Sequence, residues 1–132
     1  MKLIPALYEV LYVSQLAPGQ PLSVVAEIAA RARVLNAEAN ITGLLIFDGH
    51  RFCQQLEGPK KAVLKLIERI RTDPRHVNVE VVHHGALAGR RFQKFSLAFS
   101  KVEDADALAR IETLDGATAL AAFGVVCGEL EY

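Results

Sequence analysis

The spacing of apolar and polar positions in the first half of the chain predicts a strand, a helix and a hairpin. Residues 6–14 alternate strictly, with Tyr8, Val10, Tyr12 and Ser14 on one face and Leu7, Glu9, Leu11 and Val13 on the other. After the breaker APGQP, an apolar stripe at helical spacing runs from a cap at Ser23 to about Leu35, with Val25, Ile28, Ala29, Ala32 and Asn36 as its members. ITGLLIF and RFCQQLE then flank DGHR, which predicts a β-hairpin.

In the second half of the chain, a helix is again followed by two predicted strands. Pro59 begins a helix to about Thr72 with Val63, Leu66, Ile67 and Ile70 as core residues. VNVEVVHHGAL predicts a fourth strand, and RRFQKFSLAFS leads into a fifth. From Glu103 the pattern is helical, with a break at Asp115 and Gly116. The order β-α-β-β-α-β-β predicts an α+β, ferredoxin-like sheet with two helices on one face. We therefore expect a domain over residues 1–100 and a helical extension over 101–132 that packs on the sheet.

Composition narrows the class of protein. The chain has 132 residues, of which 52% are hydrophobic, and this favours a single folded domain. Fifteen basic residues balance fifteen acidic ones, so neither a nucleic-acid surface nor a membrane surface is expected. Cys53 and Cys127 suit a reducing cytoplasm. His83 and His84 are adjacent in a strand and point to opposite faces, so no metal site is expected there.

Polar side chains are predicted to point into the core. Gln54 shares a face with Phe52 and Leu56, and this face meets Tyr12 and the inward end of the first helix at Asn36. Two interpretations stay open, because the three side chains could satisfy one another or could bind a planar ligand rich in carbonyls and ring nitrogens. Likewise, Arg69 and Asp73 either form an exposed i,i+4 ion pair or bind the hydroxyls or phosphate of a ligand tail.

Five blocks in order resemble the BLUF domain, a blue-light sensor that uses flavin: LYEVLYVS, N-x3-NITGLLIF, FCQQLEG, ERIRTDPRH-x2-V and RRF-x2-FS. The resemblance covers roughly residues 6–100 and implies a flavin ring between the two helices. It places the photoactive pair at Tyr12 and Gln54 and a ring-binding asparagine at Asn36. It also implies contacts to the flavin tail at Arg69 and Asp73, with His76 nearby, and further flavin contacts at Ile28 and Ile70.

The resemblance also implies a mechanism. Tyr12 would transfer an electron and a proton to the excited flavin and then recover them, while Gln54 rearranges its amide by rotation or tautomerisation and shifts the absorption to the red. A relay segment, often Trp-Ser-Met in the family, is Phe95, Ser96 and Leu97 here, and Leu35 replaces a second polar residue next to Asn36. We expect a photoreceptor and not an enzyme, with FAD as cofactor and FMN or riboflavin as alternatives.

Partners and rival functions complete the expectations. The output is expected to reach a downstream protein effector in trans, and the apolar outer face of the first strand suggests a homo-oligomer. One alternative function is a flavin-free interaction module of the same fold. Another is a small acylphosphate hydrolase, which would need a phosphate-cradling loop after the first strand. SQLAPGQP disfavours that loop, since its two prolines have no N–H to donate.

Overall fold

The computed structural model of the chain describes residues 6–92, 98–101 and 105–128. Its elements follow in the order β1 Leu7–Leu16, α1 Ser23–Glu38, β2 Thr42–Phe47, β3 Arg51–Pro59, α2 Lys60–Thr72, β4 His76–Leu87, β5 Ala98–Lys101, α3 Ala105–Glu112 and α4 Gly116–Gly128. The predicted order of strands and helices is confirmed.

In the part of the chain that the structure describes, one five-stranded sheet in the order β4-β1-β3-β2-β5 organises the fold. The first four strands pair antiparallel, and β5 runs parallel to β2. In the central pair, Tyr12 of β1 lies directly opposite Gln54 of β3. Because strands alternate their side chains between two faces, this register puts both residues on the same face. The arrangement is the predicted ferredoxin-like sheet.

The two faces of the sheet carry separate cores. On the inner face, Val10 and Leu56 pack with Val63 and Ile67 of α2, and Phe52 packs in a second cluster with residues of α1. On the outer face, Leu11, Val13, Leu44, Ile46 and Cys53 pack with Leu108, Ile111, Phe123 and other residues of α3 and α4. The helices α3 and α4 therefore cover this part of the outer face.

This cover removes the motive for expecting self-association. Leu11 and Val13, whose apolar face was the reason for that expectation, are 0% exposed beneath α3 and α4. The homo-oligomer itself stays a prediction. Within the residues that the structure describes, no helix is both long enough and apolar enough to cross a membrane.

The two ends of α1 differ from the prediction. Ser23 is the first helical residue and not the cap, since Leu22 occupies that position without a side-chain cap bond. The helix also runs past Leu35 to Glu38. It ends there because Asn40 adopts a left-handed conformation (φ 59°), and the N–H of Ile41 donates back to the carbonyl oxygen of Asn36 at 2.8 Å. This six-to-one bond is a Schellman ending, in which Asn substitutes for the usual Gly.

The β2–β3 hairpin is tightly built. Gly49 has a φ of +98° in the DGHR turn, and the Asp48 carboxylate accepts from the N–H groups of His50 and Arg51 at 2.9 and 2.6 Å. Further along, a Cβ added to Gly43 would lie 2.1 Å from the carbonyl oxygen of Gln55. Only glycine allows β2 to approach β3 this closely, so the TGLLIF block helps to fix the strand that carries both glutamines.

The fifth strand lies at the end of its sequence block. RRFQKFSLAFS was expected to lead into a strand, and β5 occupies Ala98–Lys101. The predicted relay residues Phe95, Ser96 and Leu97 lie outside the described residues. The predicted break at Asp115 and Gly116 is confirmed, since α4 begins at Gly116.

Candidate functional site

A cavity of about 240 Å³ lies between α1, α2 and the inner face of the sheet. Two strands supply its floor, because the register of β1 with β3 brings Tyr12 beside Gln54. Every residue that the sequence predicted to hold the chromophore lines it, namely Tyr12, Ile28, Asn36, Gln54, Arg69, Ile70, Asp73 and His76. The fold thus brings together residues that are up to 64 positions apart in the sequence.

A short hydrogen bond joins the two residues at the floor of the cavity. The Tyr12 hydroxyl donates to Oε1 of Gln54 at 2.5 Å, and the two residues are 1% and 3% exposed. Burial raises the pKa of Tyr12 far above its usual value, so the hydroxyl keeps its proton. Among the described residues, the amide nitrogen of Gln54 has no hydrogen-bond partner, although the side chain lines the cavity. The two N–H donors of this amide are therefore available to a ligand.

His76 supports the tyrosine from the side. Its Nδ1 atom lies 3.0 Å from the Ser14 hydroxyl, and its ring stands edge-on to Tyr12 with centroids 6.5 Å apart. It also packs on Phe52 with centroids 4.7 Å apart. Burial lowers the pKa of His76, and only part of this effect is offset by the nearby Asp73. The site therefore favours a neutral imidazole next to Tyr12 and Gln54.

Of the two interpretations of Arg69 and Asp73, the ion pair is wrong, whereas both residues line the cavity. Asp73 instead binds Arg75, whose Nη2 and Nε atoms lie 2.7 and 3.2 Å from Oδ2. This two-residue spacing is possible because α2 ends at Thr72 and Asp73 is already in an extended conformation. The Arg75 bond lowers the pKa of Asp73, so the carboxylate stays charged at the edge of the cavity.

Sequence reasoning missed the role of a second arginine. Arg31 of α1 and Arg69 of α2 both line the cavity, one from each helix, and both are exposed. Neither forms an ion pair in the described part of the chain. The signal was present in the sequence, since Arg31 follows Ile28 by three residues and so belongs to the edge of the same helical stripe.

Apolar side chains form the walls of the cavity. Ile28, Ala32 and Leu35 come from α1, and Leu66 and Ile70 come from α2. Leu35, which the sequence analysis noted as a departure from the resembled family, adds to this apolar wall. Asn36 is 1% exposed, and the Schellman ending of α1 fixes its backbone. The cavity therefore has apolar sides, a polar floor and cationic side chains at its exposed edge.

Residues 7–98 match the BLUF family, described as sensors of blue-light using FAD. The match covers more than half of the chain. The chain belongs to the BLUF family. The function class that the sequence suggested, a flavin-binding sensor of blue light, is thereby confirmed, and FAD is the chromophore of the family.

Two curated BLUF relatives are much longer proteins. The blue light- and temperature-regulated antirepressor BluF of Escherichia coli (strain K12) is 33% identical over 84 residues, which are 64% of this chain and 21% of that protein. The photoactivated adenylate cyclase subunit beta of Euglena gracilis is 42% identical over 79 residues, which are 60% of this chain and 9% of that protein. This chain therefore spans less than a quarter of either relative.

Solved BLUF structures share the fold. The BLUF protein BlrB in its dark state superposes with a TM-score of 0.78 at 27% identity, and the match covers 97% of this chain and 100% of that one. BlrP1 of Klebsiella pneumoniae, solved with FMN and cyclic diGMP, gives a TM-score of 0.68 at 34% identity, covering 72% of this chain and 26% of that one. The likeness to BlrB includes the region of the tail helices.

The residues of this BLUF cavity fit a flavin. A flavin ring is flat and apolar on its faces but carries carbonyls and ring nitrogens along one edge. The apolar walls suit the faces, and the unpartnered amide nitrogen of Gln54 suits a carbonyl at the edge. The exposed guanidinium groups of Arg31 and Arg69 suit the phosphates of a flavin nucleotide.

The loop after β1 gives no support to the hydrolase alternative. The N–H of Ala17 donates to the carbonyl of Arg75 at 2.9 Å, and the N–H of Gln20 donates to Ala17 at 3.2 Å. These donors are used within the fold, and Pro18 and Pro21 have none. A phosphate would therefore find few free N–H groups in this loop.

Proposed function

We propose that this chain senses blue light through the pair formed by Tyr12 and Gln54, with a non-covalently bound flavin in the cavity above them. The observation that carries the proposal is the short bond from the Tyr12 hydroxyl to Gln54 Oε1, which leaves the amide nitrogen of Gln54 available at the cavity wall. When bound, the flavin supplies the absorption of blue light and an acceptor for an electron.

The protein's part in this mechanism follows from hydrogen-bond chemistry. Tyr12 is a suitable source of an electron and a proton, because burial keeps its hydroxyl protonated. A hydroxyl both donates and accepts, so it can bond either end of the Gln54 amide. Turning or tautomerising that amide would exchange the donor and acceptor that Gln54 presents to the cavity. A leucine or an ionised glutamate at this position could not make such an exchange.

The exposed edge of the cavity supports a flavin nucleotide as ligand. Arg31 and Arg69 approach it from the two helices without an ion pair of their own among the described residues. Asp73 and Arg75 neutralise each other and fix the neighbouring loop. We infer that FAD or FMN binds more tightly than riboflavin, because the guanidinium groups would bond phosphate oxygens.

The output of the signal is a separate part of the proposal. The family match ends at residue 98, and the curated relatives combine it with much longer chains. We propose that residues 1–100 act as a sensor and not as an enzyme, and that the extension 101–132 passes the signal to a protein partner in trans. The relay role of residues 95–97, a cytoplasmic location and self-association also stay predictions, the last of which sedimentation would test.

Absorption spectra of the purified protein, before and after blue light, test the proposed function. We expect a yellow protein whose spectrum shifts reversibly to the red. Gln54→Leu should bind flavin but give no shift, since leucine keeps the volume and removes the amide. Gln55→Met changes the next glutamine, on the opposite face, and should keep the full shift. A colourless protein that refuses added flavin would support the interaction module instead.

A further inference from the structure

Gln54 and Gln55 are adjacent in β3 but point to opposite faces of the sheet. Gln54 meets the cavity, whereas Gln55 is 0% exposed on the outer face. There its Nε2 atom donates to Oε1 of Glu9 in β1 at 2.7 Å. Glu9 is itself only 4% exposed. Gln55, the residue next to the glutamine proposed to be photoactive, thus forms a buried hydrogen bond to a carboxylate.

The partner of Gln55 permits only one orientation of its amide. A carboxylate accepts hydrogen bonds and cannot donate them, so the NH2 end must face Glu9. Turning the amide would place Oε1 against the charged oxygen atoms. Within the described residues Oε1 of Gln55 has no hydrogen-bond partner, so nothing there would compensate such a turn. The amide of Gln55 is therefore fixed, in contrast to that of Gln54.

Glu9 is in turn held by two further groups. Nε2 of His83 in β4 lies 3.2 Å from Oε2, and Nη2 of Arg91 lies 3.4 Å from Oε1. Arg91 also approaches Glu57, with Nε 3.8 Å from Oε2, and so faces both buried carboxylates. Through these bonds the side chain of Gln55 connects β3 to β1 and, by way of Glu9, to β4.

We propose that Gln55 is a positioning residue that sets the rate at which the light state returns to the dark state, and this rests on the proposed role of Tyr12 and Gln54. The two glutamines share a peptide bond, so a change in the torsions of Gln54 must be accommodated by the backbone that Gln55 anchors. The β3 ladder fixes Gln54 between Tyr12 and Leu45. The bond to Glu9 adds a side-chain restraint at the adjacent residue.

The test compares the thermal recovery of the red-shifted absorption in the flavin-loaded, full-length protein. Gln55→Met should keep the amplitude of the shift and speed its decay by about tenfold. This ratio corresponds to the free energy that one hydrogen bond to a charged group contributes. Glu9→Gln keeps an acceptor without the charge, and should give an intermediate rate. Because it keeps the side-chain volume and one acceptor for Gln55, Glu9→Gln also tests the proposal if Gln55→Met does not fold.

Glu57→Gln is the matched control. Glu57 is 0% exposed on the same face, but it accepts from the N–H groups of Arg91 and Phe92 at 2.8 and 3.0 Å rather than from Gln55. This variant should lower the melting temperature and leave the recovery rate unchanged. A purely structural role for Gln55 would instead make the rate follow the melting temperature in all three variants.

Three results would overturn the proposal. The first is a recovery at the wild-type rate in Gln55→Met or, where that variant does not fold, in Glu9→Gln. The second is an equal acceleration in Glu57→Gln. A wild type that binds flavin without any red shift is the third, and it would refute the proposed function as well. A normal wild-type shift combined with either of the first two would refute the role of Gln55 alone.

Discussion

Removing the Tyr12 hydroxyl should affect both stability and the light response. Tyr12→Phe deletes the donor that bonds Gln54 Oε1 at 2.5 Å and leaves this buried oxygen without it. An unsatisfied buried acceptor costs about 1–3 kcal/mol. At roughly 4 °C per kcal/mol for a domain of this size, the flavin-free protein should melt about 4–12 °C lower. The flavin-loaded variant should show no red shift, because it lacks the redox-active phenol.

Tyr8→Phe is the matched control for that variant. Tyr8 lies on the same face of β1, and its hydroxyl bonds Nδ1 of His84 at 2.5 Å, but it does not line the cavity. Its removal should cost about 0.5–1.5 kcal/mol and keep the full shift. Thermal unfolding and light-minus-dark spectra of both variants, at equal flavin content, provide the measurements. A full, reversible shift in Tyr12→Phe would refute the assignment of Tyr12.

Three further predictions concern the cavity and the sheet. The pKa of His76 is lowered in the folded protein, so this residue is protonated at a higher pH in the unfolded chain. Stability should therefore fall as the pH decreases below 6.5. His76→Gln should reduce this dependence of the unfolding free energy on pH. Arg69→Ala and Arg31→Ala should each weaken FAD and FMN about tenfold or more in titrations but leave riboflavin unchanged, whereas Arg71→Ala, outside the cavity, should change none of them. Gly43→Ala should destabilise the fold by several kcal/mol in denaturant unfolding, since its Cβ would lie 2.1 Å from a β3 carbonyl oxygen.

The fold was predictable because local signals agreed with the tertiary structure. Alternation in β1, the DGHR turn and the periodicity of α2 each indicated an element that the structure contains. The errors lie at element ends, where tertiary contacts decide. Ser23 was a plausible cap by residue type, but the chain before it turns into the helix one residue earlier, at Leu22.

The residues of the cavity were predictable, whereas the partners of the buried or half-buried carboxylates were not. Inward polar residues such as Gln54 and Asn36 are conspicuous in apolar surroundings, and the resemblance assigned them a ligand. The partner of Asp73 depended on where α2 ends, since the extended backbone after Thr72 favours Arg75 over Arg69. The alternation along β1 could not reveal the partners of Glu9, because the side chains that bind it come from other strands.

The same residue type can serve opposite purposes in one strand because the partner decides what an amide does. Gln54 faces a hydroxyl that can donate or accept, so both orientations of its amide can be satisfied. Gln55 faces a carboxylate that only accepts, so a single orientation is stable. A switch needs both properties at once, since an amide that turns freely gives a defined signal only when the backbone beside it stays in place. On the proposed mechanism, the pair of glutamines in CQQLEG supplies a movable group and a fixed one at adjacent positions.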